Sequence, residues 1–133
     1  MSTLFSKIIN REIPAYIIAE DEHHIAFLDV YPLVMGHVLC VPKQEVDYIF
    51  DLPDESLSAL HIFSKKVAKA IAKVVECKRI GTAVIGLEVP HAHIHLVPLQ
   101  SVQDINFAKP KLNPEKVELI AMAEKIQAAY KAL

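Results

Sequence analysis

The stretch VPHAHIHLVP, residues 89–98, constrains the fold more than any other part of the sequence, because it alternates histidine with apolar residues. A period of two is typical of a β-strand, on which successive side chains point to opposite faces. The pattern therefore predicts one face carrying His91, His93 and His95, and an opposite apolar face. Neighbouring imidazoles on that face begin roughly 6.5–7 Å apart, so the rings can converge on one anionic group or one metal ion.

Three histidines on one face indicate chemistry rather than ordinary surface polarity. Three neighbouring imidazoles repel one another when they are protonated and need hydrogen-bond partners when they are buried. A single histidine on a half-exposed strand meets neither difficulty. Histidines at alternate strand positions suit zinc, with the third completing an open catalytic site. They also suit phosphoryl transfer, with one imidazole as nucleophile and its neighbours as phosphate ligands and proton donors. The residue types alone leave these two alternatives open.

The rest of the chain predicts separate strands and helices. Five strands are expected, over residues 16–19, 24–28, 36–42, 81–87 and 90–99. Between residues 51 and 76, apolar residues recur at intervals of three and four, which indicates an amphipathic helix. A C-terminal helix is expected to begin with Asn113 as its cap and Pro114 as its first residue. These elements predict an α+β fold: a five-stranded, mainly antiparallel sheet with two helices, the second a C-terminal extension, in a single domain over residues 1–133.

The composition narrows the classes of partner. A formal net charge of −2 gives no basic excess, so no nucleic-acid partner is expected and an anionic ligand must be held by local groups. No apolar run approaches membrane-spanning length, so no membrane partner is expected either. Cys40 and Cys77 lie far apart, which favours free thiols and a cytoplasmic location. Three further histidines, His23, His24 and His61, match no motif and are interpreted as surface groups.

Three stretches of the sequence resemble a known family. HAHIHLVP carries the H-x-H-x-H-x-x signature, with x apolar, of the histidine triad (HIT) superfamily of nucleotide hydrolases and transferases. Residues 3–22, TLFSKIINREIPAYIIAEDE, resemble the amino-terminal segment of its adenosine-phosphoramidase, or histidine triad nucleotide-binding, branch. Residues 26–43, AFLDVYPLVMGHVLCVPK, resemble a strand–turn–strand segment with a nucleotide-site Asp and a fourth active-site His. The resemblance implies a HIT-like fold.

The resemblance also implies roles for four histidines. His93 is expected to attack the α-phosphorus and form a covalent nucleotidyl-imidazole, which water then hydrolyses. His95 is expected to donate to the phosphate or the leaving group, while His91 and His37 form a relay that fixes tautomers and orientation. The chemistry agrees, since a neutral imidazole is a good nucleophile near pH 7 and leaves phosphorus readily once protonated.

A nucleotide pocket follows from the same resemblance. Asp29 is expected to accept hydrogen bonds from both ribose hydroxyls, as acidic residues do in other nucleotide folds. An apolar cleft for the base is expected from Phe5, Ile8, Phe27, Leu28 and Val30. Without the motif, the first three of these would be assigned to the core, and Asp29 would be an ordinary turn residue.

Two features depart from the family pattern. Some members bind a structural zinc through an amino-terminal C-x-x-C and a histidine after the PK of the strand. Here those positions hold Thr3, Ser6 and Glu45, so no structural zinc and no cofactor are predicted. Members also carry an Asn- and Gly-containing loop and then G-Q-S/T-V before the triad. This chain has a shorter loop with Leu87 and Glu88 at the Gln and Ser positions, and a carboxylate at Glu88 would repel the α-phosphate.

Three functions remain in view. The first is a hydrolase that cleaves at the α-phosphate of a nucleoside phosphoramidate or dinucleoside polyphosphate, with a purine nucleotide of the AMP or GMP type as its ligand. The second is a nucleotide-binding regulatory module with little turnover, which the changes at Leu87 and Glu88 favour. The third is a metalloenzyme with histidine ligands. The resemblance further implies a homodimer.

Overall fold

A five-stranded antiparallel sheet forms the centre of the protein, and the computed structural model describes residues 3–133. The described helices and strands follow in the order α1 (Leu4–Ile9), β1 (Ile17–Glu20), β2 (His24–Leu28), β3 (Val38–Pro42), α2 (Asp54–Val74), β4 (Arg79–Ala83), β5 (Ile94–Leu99) and α3 (Lys116–Lys131). In the sheet the strands lie in the order β1-β2-β3-β5-β4, and every neighbouring pair is antiparallel. The predicted α+β fold with five antiparallel strands is confirmed.

Alternation along the central strands divides the apolar side chains into two layers. On β2, Ala26 and Leu28 belong to the main core beneath the long helices, while Ile25 and Phe27 belong to a second cluster on the opposite face. On β5, Ile94 lies in the main core. Because side chains alternate along a strand, the histidine that follows it points to the face of the second cluster.

The two long helices cover one face of the sheet. The side chains of α2 that are buried recur at the predicted spacing of three and four: Leu60, Phe63, Ser64, Val67, Ala70 and Ile71. α3 packs against α2 and β1, and its buried side chains are Leu119, Ala123 and Ile126. Full burial of each large apolar side chain contributes about 1.5–3 kcal/mol, so this layer dominates the stability of the fold. Within residues 3–133, no helix is both long enough and apolar enough to cross a membrane.

The opposite face is partly covered by α1, a short helix that the sequence analysis did not predict. Thr3 caps it, since its hydroxyl accepts a hydrogen bond from the N–H of Ser6 at 2.9 Å. Phe5 and Ile8 are buried in the second cluster, and Phe5 meets Phe27 edge-on at a centroid distance of 5.4 Å. A helix of six residues is not stable alone, so it depends on this packing.

The boundaries of two strands differ from those predicted. β4 runs from Arg79 to Ala83 rather than from 81 to 87, because the chain then leaves the sheet and turns at Gly86, where φ is +72°. β5 begins at Ile94, so the first two triad histidines precede it. Here the N–H of Ala92 donates to the carbonyl of Val46 at 2.7 Å instead of joining the β3–β5 ladder.

The starts of both long helices also differ. α2 begins at Asp54, and residues 49–51 form a separate 3₁₀ turn before it. α3 begins at Lys116, with Glu115 as its cap in a reciprocal capping box with Glu118. The prediction that Asn113 and Pro114 start this helix was therefore wrong.

His24 is buried, which contradicts its assignment to the surface. Its ring stacks on Phe63 of α2 at a centroid distance of 5.0 Å, and its Nδ1 lies 2.9 Å from Oδ1 of Asp21. Both contacts satisfy the ring in the apolar layer, one by packing and one by a hydrogen bond. His23 and His61 are exposed, as predicted.

Candidate active site

His93 presents an imidazole nitrogen with a free lone pair. Its Nδ1 lies 2.7 Å from the carbonyl oxygen of His91, and because a carbonyl only accepts, Nδ1 carries the proton and donates it. Burial, the largest cause, lowers the pKa of His93, so the ring is neutral near pH 7. Nε2 therefore keeps its lone pair, which a nucleophilic imidazole requires.

His37 and His95 form a hydrogen-bonded pair whose tautomers are fixed by the backbone. The N–H of Leu33 donates to Nδ1 of His37 at 3.1 Å, which leaves the proton of a neutral His37 on Nε2. That Nε2 donates to Nδ1 of His95 at 2.9 Å, which leaves the proton of a neutral His95 on its own Nε2. The His95 ring lies 4.9 Å from the His93 ring between centroids. Adjacent histidines thus offer one N–H donor and one free lone pair.

Both members of this pair are held neutral. Burial, reinforced by the charge of Lys111, lowers the pKa of His37 to about 4. Burial, reinforced by the neighbouring His37 and His93, lowers the pKa of His95 to about 3. Since protonation of either ring would break the tautomer pattern, the donor–acceptor arrangement persists throughout the neutral pH range.

The backbone around Asp29 and His37 brings these two residues together. Asp29 directly follows β2, and its N–H donates to the carbonyl of His37 at 3.0 Å. Gly36 has a φ of +96°, and a Cβ there would lie 2.9 Å from a side-chain carbon of Val75. Only glycine therefore fits this turn without strain, and the turn delivers His37 to the start of β3.

The carboxyl group of Asp29 lies at the edge of the histidine cluster. Its Oδ1 accepts a hydrogen bond from the N–H of Tyr31 at 3.0 Å, and its Oδ2 lies 3.8 Å from Nε2 of His37. Burial, the largest cause, and the negative charge of Glu88 raise the pKa of Asp29, while the Tyr31 hydrogen bond and Lys111 oppose the rise. Glu88, although exposed, therefore acts electrostatically on the site.

His91 supports the site from behind rather than facing the same space as the other two triad histidines. It is fully buried, its Nε2 donates to the carbonyl of Pro42 at 2.8 Å, and its Nδ1 lies 2.9 Å from the hydroxyl oxygen of Thr3. These two bonds fix the ring, and its own carbonyl accepts the Nδ1–H of His93. His91 thereby orients the peptide that sets the tautomer of His93.

The positions that hold zinc in some relatives form hydrogen bonds in this chain. The hydroxyl oxygens of Thr3 and Ser6 lie 3.0 Å apart, and the N–H of Thr3 donates to Oε1 of Glu45 at 3.1 Å. With the contact from Thr3 to His91, these bonds tie α1 to the triad segment. Hydroxyl and carboxylate groups are poor substitutes for thiolates at a tetrahedral zinc site.

Phe5, Ile8 and Phe27 lie together beside the histidines, as the resemblance implies. All three are buried in the second cluster, and the Phe5 ring meets the His93 ring edge-on at 4.9 Å between centroids. The interpretation as core is equally true of these side chains, because they are at most 7% exposed. They form an apolar cluster that contacts His93 through Phe5.

The other two residues predicted for the base cleft lie elsewhere. Leu28 belongs to the main core on the helix side of the sheet, so the prediction for its side chain was wrong. A period of two cannot place Leu28 and its neighbour Phe27 on one face. Val30 is 41% exposed and adjoins Asp29 in the chain, so it remains available to a ligand at the rim.

The hydrogen bonding of this cluster opposes a metal ion. Asp29, His37 and His95 bring one ligand atom each within 4.8 Å of one another. However, the Nδ1 lone pair of His37 is used by the N–H of Leu33, and its Nε2 carries the proton. His91 is also engaged at both nitrogens. A metal needs deprotonated, unoccupied ring nitrogens, so the donor set fits phosphoryl chemistry better than metal chemistry.

The loop between β4 and the triad lines an open cavity that reaches His93. Leu87 is 87% exposed, and an open cavity of about 420 Å³ extends from His93 past Leu87 to Tyr48 and Phe50. In this loop, Leu87 and Glu88 stand where the family that the sequence resembles carries an amide and a hydroxyl side chain. The site therefore relies on histidines and backbone groups for polar contacts.

Two site residues escaped the sequence analysis because they lie in an irregular loop. The Phe107 ring packs against His95 at 4.7 Å between centroids, and Lys111 lowers the pKa of His37 through its charge. The segment carries no periodic pattern, so only its proximity to the triad along the chain pointed towards it. The structure adds both residues to the candidate site.

The fold and the histidine pair define a class of protein: an α+β domain with a cluster of buried histidines on one face of an antiparallel sheet. A family model described as the HIT domain matches residues 10–102, and the chain therefore belongs to the HIT domain family. It is 38% identical to an uncharacterised HIT-like protein of Methanocaldococcus jannaschii, over 71% of this chain and 77% of that protein. It is 30% identical to an adenosine 5′-monophosphoramidase of Schizosaccharomyces pombe, over 98% and 100% of the two chains. The crystal structure of a zinc-bound histidine triad family protein from Mycobacterium smegmatis superposes with a TM-score of 0.85 at 25% identity, covering 99% of this chain and 95% of the other.

Proposed function

We propose that this protein is a nucleotide hydrolase that cleaves at the α-phosphate of a nucleoside phosphoramidate or dinucleoside polyphosphate. The observation that carries the proposal is the pairing of two tautomers, a bare Nε2 on His93 and an Nε2–H on His95. The first is a nucleophile, and the second is a hydrogen-bond donor for the charge that develops on oxygen or on the leaving atom. The named phosphoramidase relative supports the same reaction class.

The reaction proceeds in two displacements at phosphorus. In the first, a bond forms between His93 Nε2 and the α-phosphorus while the bond to the departing amine or phosphate breaks, and the departing group takes its proton from solvent. The imidazole becomes cationic, which strengthens the Nδ1–H hydrogen bond to the carbonyl of His91. In the second, water attacks phosphorus and releases one proton to solvent, the P–N bond breaks with its electron pair returning to Nε2, and a nucleoside monophosphate leaves with His93 neutral again.

The substrate proposed is a purine nucleotide of the AMP or GMP type. In this proposal Asp29 accepts hydrogen bonds from the ribose hydroxyls, and its carboxylate oxygen 3.8 Å from Nε2 of His37 supports a role beside the histidine pair. Phe5 and Phe27 supply the apolar contact for the base at its inner end, and Val30 supplies it at the rim. Neither a metal nor a cofactor takes part in this proposal.

The experiment is single-turnover trapping with a nucleoside phosphoramidate labelled at the α-phosphorus. Acid quenching should capture a labelled protein adduct in the wild type, and peptide mapping should place the label on His93. His23→Ala is the matched control, because His23 is exposed and does not line the cavity beside His93. An absence of adduct together with an absence of turnover over a panel of adenosine and guanosine substrates would reject the proposal.

A second function is favoured by Glu88. Its charge raises the pKa of both Asp29 and His93, so it reaches the place where an anionic phosphate is expected to bind. A nucleotide-binding regulatory module would tolerate this repulsion more easily than an efficient enzyme. Nucleotide binding without an adduct in the trapping experiment would favour this alternative.

We further propose that the chain acts as a homodimeric, cytoplasmic HIT-like domain with no nucleic-acid or membrane partner. β4 is an edge strand, and an edge strand invites pairing with a second copy. Ile62 lies on α2, a helix that contacts β4, and its side chain is 60% exposed, so it offers an apolar surface to a second copy. Cys40 and Cys77 are both free, which supports a reducing compartment. Sedimentation at micromolar concentration should give a dimer, and Ile62→Glu should shift it towards monomer.

A further inference from the structure

The loop that follows the matched family region returns to the histidines. The HIT domain match ends at residue 102, and Phe107 lies beyond it. The Phe107 ring packs against His95 at 4.7 Å between centroids, with an interplanar angle of 67°, and against His37 at 6.1 Å and 81°. One aromatic side chain therefore contacts both members of the hydrogen-bonded histidine pair.

Hydrogen bonds fasten this loop in place. The N–H of Leu112 donates to the carbonyl of Pro32 at 2.8 Å, which ties the loop to the turn between Asp29 and His37. The ammonium of Lys111 donates to the carbonyl of Phe107 at 2.6 Å. The side-chain oxygen of Asn106 accepts the N–H of Ala108 at 3.0 Å. These hydrogen bonds hold the backbone on both sides of Phe107.

We propose that Phe107 is a positioning residue, which shields the hydrogen bond between His37 and His95 from water and so directs the Nε2–H of His95 towards the substrate. The ring is apolar and offers no competing hydrogen bond. Water at the same place would compete for Nε2–H of His37 and Nδ1 of His95, and a hydrogen bond gains strength where water is excluded. Without the ring, His95 would lose its fixed tautomer.

The charged and titratable groups around His95 come from each segment packed against it. They are His37 at the start of β3, His93 before β5, Asp29 after β2, Lys111 in the loop itself and Glu88 before the triad. The charge of Lys111 lowers the pKa of His37, and the charge of Glu88 opposes the lowering of the pKa of His93. Phe107 is uncharged, so its replacement by alanine changes the access of water to His95 without changing the net charge of the site.

The inference rests on the proposed hydrolase for its kinetic readout, and nuclear magnetic resonance provides a readout that does not. In Phe107→Ala, kcat for a nucleoside phosphoramidate should fall about tenfold while KM changes less than about threefold, since only orientation of a catalytic group is lost. The His95 ring should titrate at higher pH than in the wild type. Phe107→Leu should restore most of kcat, because it again excludes water. Val102→Ala, an 80% exposed side chain in the same segment, is the control.

Each outcome decides the inference. Unchanged kcat and unchanged His95 titration in Phe107→Ala would overturn it, and so would equal losses in Phe107→Ala and Phe107→Leu with unchanged titration. If the wild type hydrolyses no substrate, the proposed function fails, while the titration of His95 still tests the shielding by Phe107. Circular dichroism of each variant verifies folding. If the alanine variant unfolds, Phe107→Gln replaces it, because its amide competes for the hydrogen bond between His37 and His95, and unchanged kcat and His95 titration in that variant would overturn the inference.

Discussion

Nε2 of His37 lies 2.9 Å from Nδ1 of His95, although the two residues are 58 positions apart in the chain. The contact joins β3 to β5 on the face of the sheet opposite the long helices. The N–H of Leu33 donates to His37, and His37 in turn donates to His95. This chain of hydrogen bonds leaves the proton of a neutral His95 on Nε2. The protonation pattern of the site is therefore a property of the fold, and it predicts how the fold responds to acid.

Acid should begin to destabilise the protein at a pH above the range in which most of its carboxylates become protonated. The folded-state pKa values of His37 and His95, about 4 and about 3, lie below the ordinary value of about 6.5. Below pH 6.5 the unfolded chain binds more protons at these two histidines than the folded chain does. Their contribution to the free energy of unfolding is therefore fully present above about pH 6.5 and is lost as the pH falls towards 4 and 3. Each histidine contributes about 2 kcal/mol over this range, so we expect the free energy of unfolding in urea to fall by about 4 kcal/mol between pH 7.5 and pH 5.

His95→Gln provides the matched test of this pH dependence. The variant should be less stable at neutral pH, yet its stability should fall less between the same two pH values, because one depressed pKa is gone. His61→Gln should reproduce the wild-type slope, since His61 is exposed. Identical slopes in His95→Gln and the wild type would contradict the assignment of the loss to this buried pair.

His93→Ala should remove turnover and keep binding. Loss of the attacking nitrogen typically costs several orders of magnitude in rate, so we expect a reduction of at least about 10³-fold in kcat. The dissociation constant for adenosine monophosphate should change less than about threefold, because Asp29 and the apolar cluster remain. Discontinuous rate assays measure kcat, and calorimetric titration measures the dissociation constant. A variant that retains a few per cent of the wild-type rate would show that His93 is not the nucleophile.

Thr3→Val should loosen α1 and the triad together. The substitution keeps the shape of the side chain but removes the hydroxyl that caps α1 and contacts His91. Loss of a cap and of a buried hydrogen bond should lower the free energy of unfolding by about 1–3 kcal/mol. Thr3→Ser keeps the hydroxyl and should lie within about 1 kcal/mol of the wild type. Equal stabilities of the valine and serine variants in urea titrations would contradict this role.

The parts of the site that follow local geometry could be predicted from the sequence, and the parts that depend on distant contacts could not. Alternation along the triad predicted Ile94 in the main core and His95 on the opposite face, because a strand enforces a period of two, whereas His91 and His93 precede the strand. The same rule, applied to Phe27 and Leu28, would have separated them. Burial of His24 against Phe63 and the contact of Phe107 with His95 join residues remote in the chain, and no local pattern encodes them.

The final prediction concerns Glu88, where the chain departs most from its relatives. Its carboxylate is exposed, but its charge raises the pKa of His93 and of Asp29, so it acts on the space where the α-phosphate is expected. At an effective dielectric constant near 20, two like charges about 5 Å apart repel by roughly 3 kcal/mol, and solvent reduces this to about 1 kcal/mol at an exposed position.

Glu88→Gln should therefore tighten binding of adenosine monophosphate by about three- to tenfold. Glu88→Ser, which restores the residue type of the family, should do the same. The gain should be larger at low ionic strength, because salt screens the repulsion at an exposed carboxylate. Calorimetric titration of both variants at two salt concentrations measures the effect, with Glu124→Gln at an exposed position on α3 as a control of equal charge change. Should Glu88→Gln instead lose rate at high pH with unchanged affinity, the carboxyl group is a proton donor. Unchanged rate and affinity in both variants would mean that Glu88 points away from the phosphate, which the histidines and backbone amides then hold alone.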